Sequence, residues 1–268
     1  MTKQTPTSRP FAVVTGASSG IGLELARQLI ERGHDVLVCA EDAEIDTARD
    51  RLRAEQGAES PVVESFHADL TTATGVGALV AGVVATGRPV DVLALNAGVA
   101  NGGPFLETPI EDDVALIDLN ITAVVRLAKA LVPAMVERGE GRVLITASSA
   151  ATQPGPWYAT YAASKAFDLS FAEAIRHELK STGVSVTALM PGPTDTEFFE
   201  RAGMEGTGAG KGPKDDPAKV AAAGLDALFA GKDKVTASMA AKSQAASAAV
   251  LPETANAAMQ GALTKPRD

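Results

Sequence analysis

The chain has 268 residues, 46% of them hydrophobic, with 24 Lys plus Arg against 33 Asp plus Glu and a net charge of -9. That composition supports one large domain or two small ones with a real core, and its acidic balance leaves no electrostatic footprint for nucleic acid or an anionic membrane. The single cysteine, Cys39, excludes an internal disulfide framework, and His34, His67 and His177 lack metal-ligand spacing, so a reducing cytoplasm and no metal site are expected.

The opening "MTKQTPTSRPFAVV" has no long apolar region leading to a small-residue cleavage site, and reads as a mature cytosolic start. The run "GVGALVAGVVATG" is too short and glycine-rich for the roughly 20 residues a bilayer span needs. No membrane partner is expected.

In chain order, the short runs "FAVVT", "DVLVC", "VVESFHA", "DVLALN", "RVLITAS" and "VSVTALM" read as strands separated by segments of helical length. This alternation implies an α/β fold with a doubly wound parallel sheet and helices on both faces. "IGLELARQLIERG" puts Ile21, Leu25 and Leu29 on one helix face and stops at Gly33; Ile45, Ala48 and Leu52 repeat the pattern. From Glu111 to Arg138 the apolar residues cover more than one face, which fits either a deeply buried helix or a subunit interface. Leu169, Ala172, Ile175 and Leu179 give a stripe to the helix after Lys165. Past the sixth strand, "GMEGTGAGKGPKDDP" has the composition of a mobile loop, and a lid over a strand end is expected at about 194–216. Residues 1–231 thus read as one domain, followed by an Ala-rich extension, 232–268, with weak periodicity and no assignable role.

The chemistry starts in "VVTGASSGIGLEL", which follows the first strand and opens the first helix. Gly16, Gly20 and Gly22 permit a tight turn and close backbone approach, and the helix N-terminus offers free N–H groups to a pyrophosphate. Strand before and helix after make this a Rossmann-like dinucleotide site. The second strand runs into Glu41 and Asp42, about 20 residues on, where an acid bonds ribose hydroxyls. A 2'-phosphate at ~4 Å from Glu41 would be opposed by on the order of 4 kcal/mol per unit charge at an effective dielectric of ~20. NAD is therefore favoured over NADP.

Taken in order, these pieces resemble the short-chain dehydrogenase/reductase family over roughly residues 10–195. "TGASSGIG" is similar to the family's TGxxxGxG, "ADL" sets Asp69 and Leu70 at the adenine position, and "LNAG" brings Asn96, Ala97 and Gly98 after strand four. The resemblance implies a cofactor site of Gly16, Ser18, Ser19, Gly20, Ile21, Gly22, Glu41, Asp69, Leu70, Asn96, Ala97, Gly98, Tyr161 and Lys165. It is completed by Pro191, Gly192, Thr194 and Thr196 of "MPGPTDT". It also implies a catalytic tetrad of Asn120, Ser148, Tyr161 and Lys165, in which the family's interval of 13 residues before the tyrosine selects Ser148 over Ser149.

Spacing separates the chain's two tyrosines, because only Tyr161 has a cation, Lys165, one helical turn on. Hydride exchange with a carbonyl carbon requires a proton to reach or leave the oxygen, and Tyr161 is the expected general acid/base, with Lys165 expected to lower its pKa. Ser148 would bond the substrate oxygen as a fixed dipole. The resemblance adds that Lys165 holds the nicotinamide ribose and that Asn120 anchors a water in a proton relay.

Two departures from the family bear on the cofactor: the acid after strand two stands at Glu41, one step later than usual, with Ala40 in the usual place, and Ser19 stands where NADP-preferring members carry a base. The expected activity is an NAD(P)-dependent oxidoreductase acting on a secondary alcohol or ketone. Its alternatives are a catalytically weak dinucleotide-binding regulatory or scaffold protein, and epimerisation or dehydration with tightly held cofactor. Val99–Phe105, Gln153–Tyr158 with Trp157, and Phe198–Met204 are the candidate pocket segments, which suit a partly apolar small molecule. By resemblance a homodimer or homotetramer is expected.

Overall fold

The computed structural model describes residues 9–55, 61–237 and 252–265. The reading of the first residues as a mature start, and much of the Ala-rich stretch, lie outside the described residues. The six expected strands are present: β1 (Phe11–Thr15), β2 (Asp35–Ala40), β3 (Val63–His67), β4 (Val92–Leu95), β5 (Gly141–Thr146) and β6 (Val184–Met190). A seventh, β7 (Lys234–Thr236), pairs with β6 and lies in the segment that sequence alone left without a role. All seven run parallel in the order β3-β2-β1-β4-β5-β6-β7.

Both faces of the sheet are covered, so β1 and β2 are buried throughout rather than alternating. Successive strand residues still point to opposite sides. Val13, Leu37, Leu93 and Ile145 meet α3 (Ala73–Ala85), α5 (Val124–Arg138) and α6 (Ala159–Leu179). Val14, Val38, Ala94 and Leu144 meet α1 (Gly20–Glu31), α2 (Glu44–Ala54) and α9 (Pro217–Phe229).

The strand order reverses between β1 and β4, and at such a switch the loops leaving the two strands part to form a crevice at the carboxyl ends. The glycine loop leaves β1 and Asn96–Gly98 leaves β4, so the order of the sheet alone sets these segments face to face.

The apolar stretch from Glu111 to Arg138 is not one regular helix. It comprises α4 (Ile110–Ile117), a π-helical turn (Asp118–Ala123) and α5. Leu127, Leu131 and Met135 of α5 face the sheet, while Ile110, Val114 and Ile117 of α4 stay exposed. The glycine-rich segment after β6 carries α7 (Phe198–Arg201) and α8 (Gly208–Lys211), and its two ends meet in a bridge between Thr194 and Asp215. A last helix, α10 (Glu253–Thr264), packs on α8.

Candidate active site

Gly16 and Gly20 take φ values of +65° and +55°, which L side chains rarely adopt. A Cβ on Gly22 would overlap the Gly16 carbonyl, and one on Gly16 would sit 2.7 Å from Ala97 Cα. Gly16, Gly20 and Gly22 are therefore positions of the cradle that only glycine can fill. Asn96 stitches it in place: Nδ2 donates to the carbonyls of Thr15 and Gly16, both at 3.2 Å, and Oδ1 accepts from the Thr146 hydroxyl at 3.0 Å. The Thr15 hydroxyl in turn accepts from the N–H groups of Asn96 and Ala97. With its amide so used, the Asn96 side chain positions the cradle.

A cavity of about 780 Å³ runs from this cradle across the strand ends, within the size range of ligand pockets. Its cradle end is lined by Gly16, Ser18–Gly22, Glu41, Asp69, Leu70 and Asn96–Gly98. Further along come Ser148, Tyr161 and Lys165, and then Pro191, Gly192, Thr194 and Thr196. Asp69 faces it with Oδ1 already accepting from the N–H and hydroxyl of Thr71. Near the mouth Asp42 accepts from the Ser18 hydroxyl at 3.0 Å, while Glu41 stays exposed.

Tyr161, Lys165, Asp168 and Ala172 form one buried stripe of α6, spaced as a single helix face requires. The Ser148 hydroxyl hydrogen-bonds the Tyr161 phenol, and Ser148 Oγ accepts from the Ala150 N–H at 3.1 Å. Lys165 Nζ donates to the Thr146 carbonyl and to Asp168 Oδ2, both at 2.9 Å. Asn120 lies fully buried behind them, in the π turn, a form of helix often found at functional positions. Its Nδ2 donates to the Val99 carbonyl and to Ser164 Oγ, and its Oδ1 accepts from the Val99 N–H. Both amide hydrogens are thereby committed.

Burial pushes the Tyr161 phenol up to about 12; the hydrogen bond with Ser148 pulls it down and the charge of Asp168 pushes it further up. The Lys165 ammonium is held by Thr146 and Asp168, and the phenol packs against the Phe198 ring. In the free chain Tyr161 is a protonated phenol at neutral pH. Burial also pushes the Asp168 carboxyl above the usual carboxylate range, opposed by Lys165.

The short chain dehydrogenase family matches residues 10–205, a span that takes in the cradle, all four expected tetrad residues and the Pro191–Gly192 turn. The chain belongs to the short-chain dehydrogenase family. Among its relatives is the 1-deoxy-11-beta-hydroxypentalenate dehydrogenase of Streptomyces exfoliatus, 39% identical over 70% of this chain and 69% of that one. A short-chain dehydrogenase from Sphingobium yanoikuyae, solved in complex with NADPH, superposes with a TM-score of 0.79 at 31% identity over 97% of both chains. A variant of the actinorhodin polyketide ketoreductase, solved with NADPH, gives a TM-score of 0.75 at 31% identity, over 85% of this chain and 95% of that one. This short-chain dehydrogenase is an oxidoreductase that works with a nicotinamide cofactor, and the glycine cradle fits the pyrophosphate of such a group.

Three features of the dehydrogenase's site escaped the sequence reading. The first is the roof: Met259, Gln260, Leu263 and Thr264 of α10 line the cavity, and the Thr264 hydroxyl donates to the Pro156 carbonyl at 2.8 Å. The second is Asp168, which the sequence does not single out. The third is the stitch of Thr15 and Thr146, whose hydroxyls fall inside runs that register as apolar strands. The expected pocket segments do reach the cavity through Val99, Ala100, Tyr158, Phe198, Phe199 and Met204. Among the described residues no cluster could hold a metal ion, and no helix is long and apolar enough to cross a membrane.

Proposed function

We propose that this dehydrogenase transfers hydride between the nicotinamide cofactor and the carbonyl carbon of a secondary alcohol or ketone, with Tyr161 as general acid/base. The observation that carries the reading is a phenol, bonded to Ser148 and one turn from Lys165, on the same cavity as the glycine cradle. The cofactor supplies or accepts the hydride. Ser148 orients the substrate oxygen as a fixed dipole, and Tyr161 passes it the proton, which its protonated state in the free chain makes ready for reduction. Lys165 stands where it can hold the cofactor ribose and bias the phenol. Asn120, with its side chain committed to Val99 and Ser164, keeps the segment after β4 against α6.

The substrate end is walled by Val99, Ala100, Phe198, Phe199, Met204, Met259 and Leu263, with Tyr158, Gln260 and Thr264 among its polar groups. Such a lining suits a ketone or alcohol on an apolar skeleton, in keeping with the hydroxypentalenate and polyketide named for two relatives. The exposed acid Glu41 after β2 supports NAD over NADP, and the bare apolar face of α4 supports a homo-oligomer.

The test is Tyr161→Phe, expected to keep the NADH or NADPH fluorescence titration of the parent while turnover on a carbonyl panel falls by about a hundredfold or more. Full turnover in that variant would remove Tyr161 from the mechanism. Titrating the parent with both nucleotides decides the second point: tighter NADPH binding would mean that Glu41 points away from the ribose and that NAD is not the preferred cofactor.

A further inference from the structure

Asp168, the acidic half of the ion pair with Lys165, has no part in the mechanism above. Asp168 is 1% exposed, it lies on the same buried stripe of α6 as Tyr161 and Lys165, and its Oδ2 takes one of the ammonium hydrogens at 2.9 Å. Its other oxygen, Oδ1, is buried without a hydrogen-bond partner. Burying a carboxylate is costly, and a half-satisfied one more so, when an apolar residue could fill the same stripe. The pair is poorly suited to stability alone. What it does accomplish is geometric: on the cavity wall it commits two of the Lys165 ammonium hydrogens, to the Thr146 carbonyl and to Asp168.

We propose that Asp168 is a positioning residue for Lys165: its carboxylate holds the ammonium back in the free enzyme, leaving Tyr161 a proton donor, and yields it when the nicotinamide cofactor binds. The inference rests on the reading of Tyr161 as the acid/base and names what sets its protonation. The groups that bear on it come from several elements. Lys165 and Asp168 lie on α6, with Tyr158 just before it, and Ser148 follows β5. Across the cavity stand Glu197 and Arg201, paired at 2.6 Å, and the acids Glu41 and Asp42 after β2. Of these, Ser148 and Asp168 act on Tyr161, and Lys165 acts on Asp168. With Asp168 neutral, the unopposed ammonium would favour the phenolate.

The chain's two tyrosines make this directly measurable. In a Tyr158→Phe background Tyr161 is the only one, and its ionisation can be read from tyrosinate absorbance after a pH jump, in cofactor-free protein. The parent is expected to titrate at about 12. Adding Asp168→Asn, with circular dichroism unchanged, should lower the titration by about one pH unit, and Asp168→Glu should restore most of it. In turnover, where bound cofactor has already taken Lys165 from Asp168, the alkaline-rising limb of alcohol oxidation by Asp168→Asn should move by less than the cofactor-free titration does.

Coincident titrations of the folded parent and Asp168→Asn would overturn the proposal. If the asparagine variant fails to fold, the wild-type chain labelled with 13C at its aspartate carboxyls decides instead. The Asp168 resonance should then move on adding NADH or NADPH, and a stationary resonance would be as damaging. Turnover retained in Tyr161→Phe would sink the acid/base reading itself, whereas an inactive Tyr161→Phe beside an unshifted Asp168→Asn would sink only the role of Asp168.

Discussion

The Tyr158 hydroxyl donates to Gln260 Oε1 at 3.3 Å across 102 residues of sequence, tying the segment before α6 to the helix that roofs the cavity. Both side chains are buried and both line the substrate end. Together they are the polar contact most directly available to a substrate's distal group. Gln260→Ala should leave nucleotide affinity unchanged, because the partner of its side chain is Tyr158 and not a residue of the cradle. It should change the ranking of carbonyl substrates, with KM shifts on the order of tenfold for those whose polar group reaches Gln260. Steady-state kinetics on a panel checks this; an unchanged ranking would mean that α10 covers the cavity without reading its contents.

Two glycines provide a matched pair of opposite sign. At Gly22 an added methyl meets the Gly16 carbonyl, so Gly22→Ala must displace the cradle and is expected to abolish nucleotide binding in a fluorescence titration. At Gly77, inside α3, the same methyl meets nothing within 4 Å. Gly77→Ala should therefore stabilise the chain by about 0.5–1 kcal/mol through the helix preference of alanine, which is about 2 °C in Tm. A cradle variant that still bound NADH or NADPH normally would contradict the close-approach argument.

Much of this site could be read from the chain because its signals are local. A glycine loop between strand and helix, and a tyrosine and lysine one helical turn apart, are patterns of adjacent residues that tertiary context did not override. What was missed depends on distant neighbours. The strand β7 is three residues long and joins the sheet only because β6 offers an open edge, so no periodicity announces it. The π turn at Asn120 has no sequence period of its own. Asp168 looks like an ordinary polar helix residue until the packing of α6 shows that its face is the buried one. For Tyr161 the spacing to Lys165 suggested a fall in pKa, whereas burial, and the charge of Asp168, push it up, and both depend on packing that the spacing does not reveal.

The apolar face left bare by α4 bears on assembly. Leu106 is 92% exposed, and Phe105, Ile110 and Val114 near it in sequence are exposed too, apolar surface of a kind that isolated soluble chains seldom leave in water. Light scattering of the purified protein should give a dimer or tetramer, and Leu106→Asp combined with Ile110→Glu should lower the oligomeric state while preserving circular dichroism. A monomeric parent would show that this face serves something other than self-association.

Alkaline stability should report the buried acids of the site. Tyr158 and Tyr161 are each pushed up to about 12, chiefly by burial, and burial does the same to the Cys39 thiol. In the unfolded chain phenols ionise near 10 and a thiol near 8.5. Between those values and about 12 the unfolded state has released protons that the native state still holds, so the slope of stability with pH is negative there. The contribution is complete below the unfolded values and disappears as pH rises through the folded ones. Urea midpoints should accordingly stay level from neutrality to about pH 8.5 and fall steadily above it. Since lysines also discharge in that range, the decisive comparison is with Tyr158→Phe, whose alkaline decline should be shallower than that of the parent by the share of one phenol. Parallel declines would mean that Tyr158 ionises as freely in the folded chain as in the unfolded one, which its burial against Gln260 argues against.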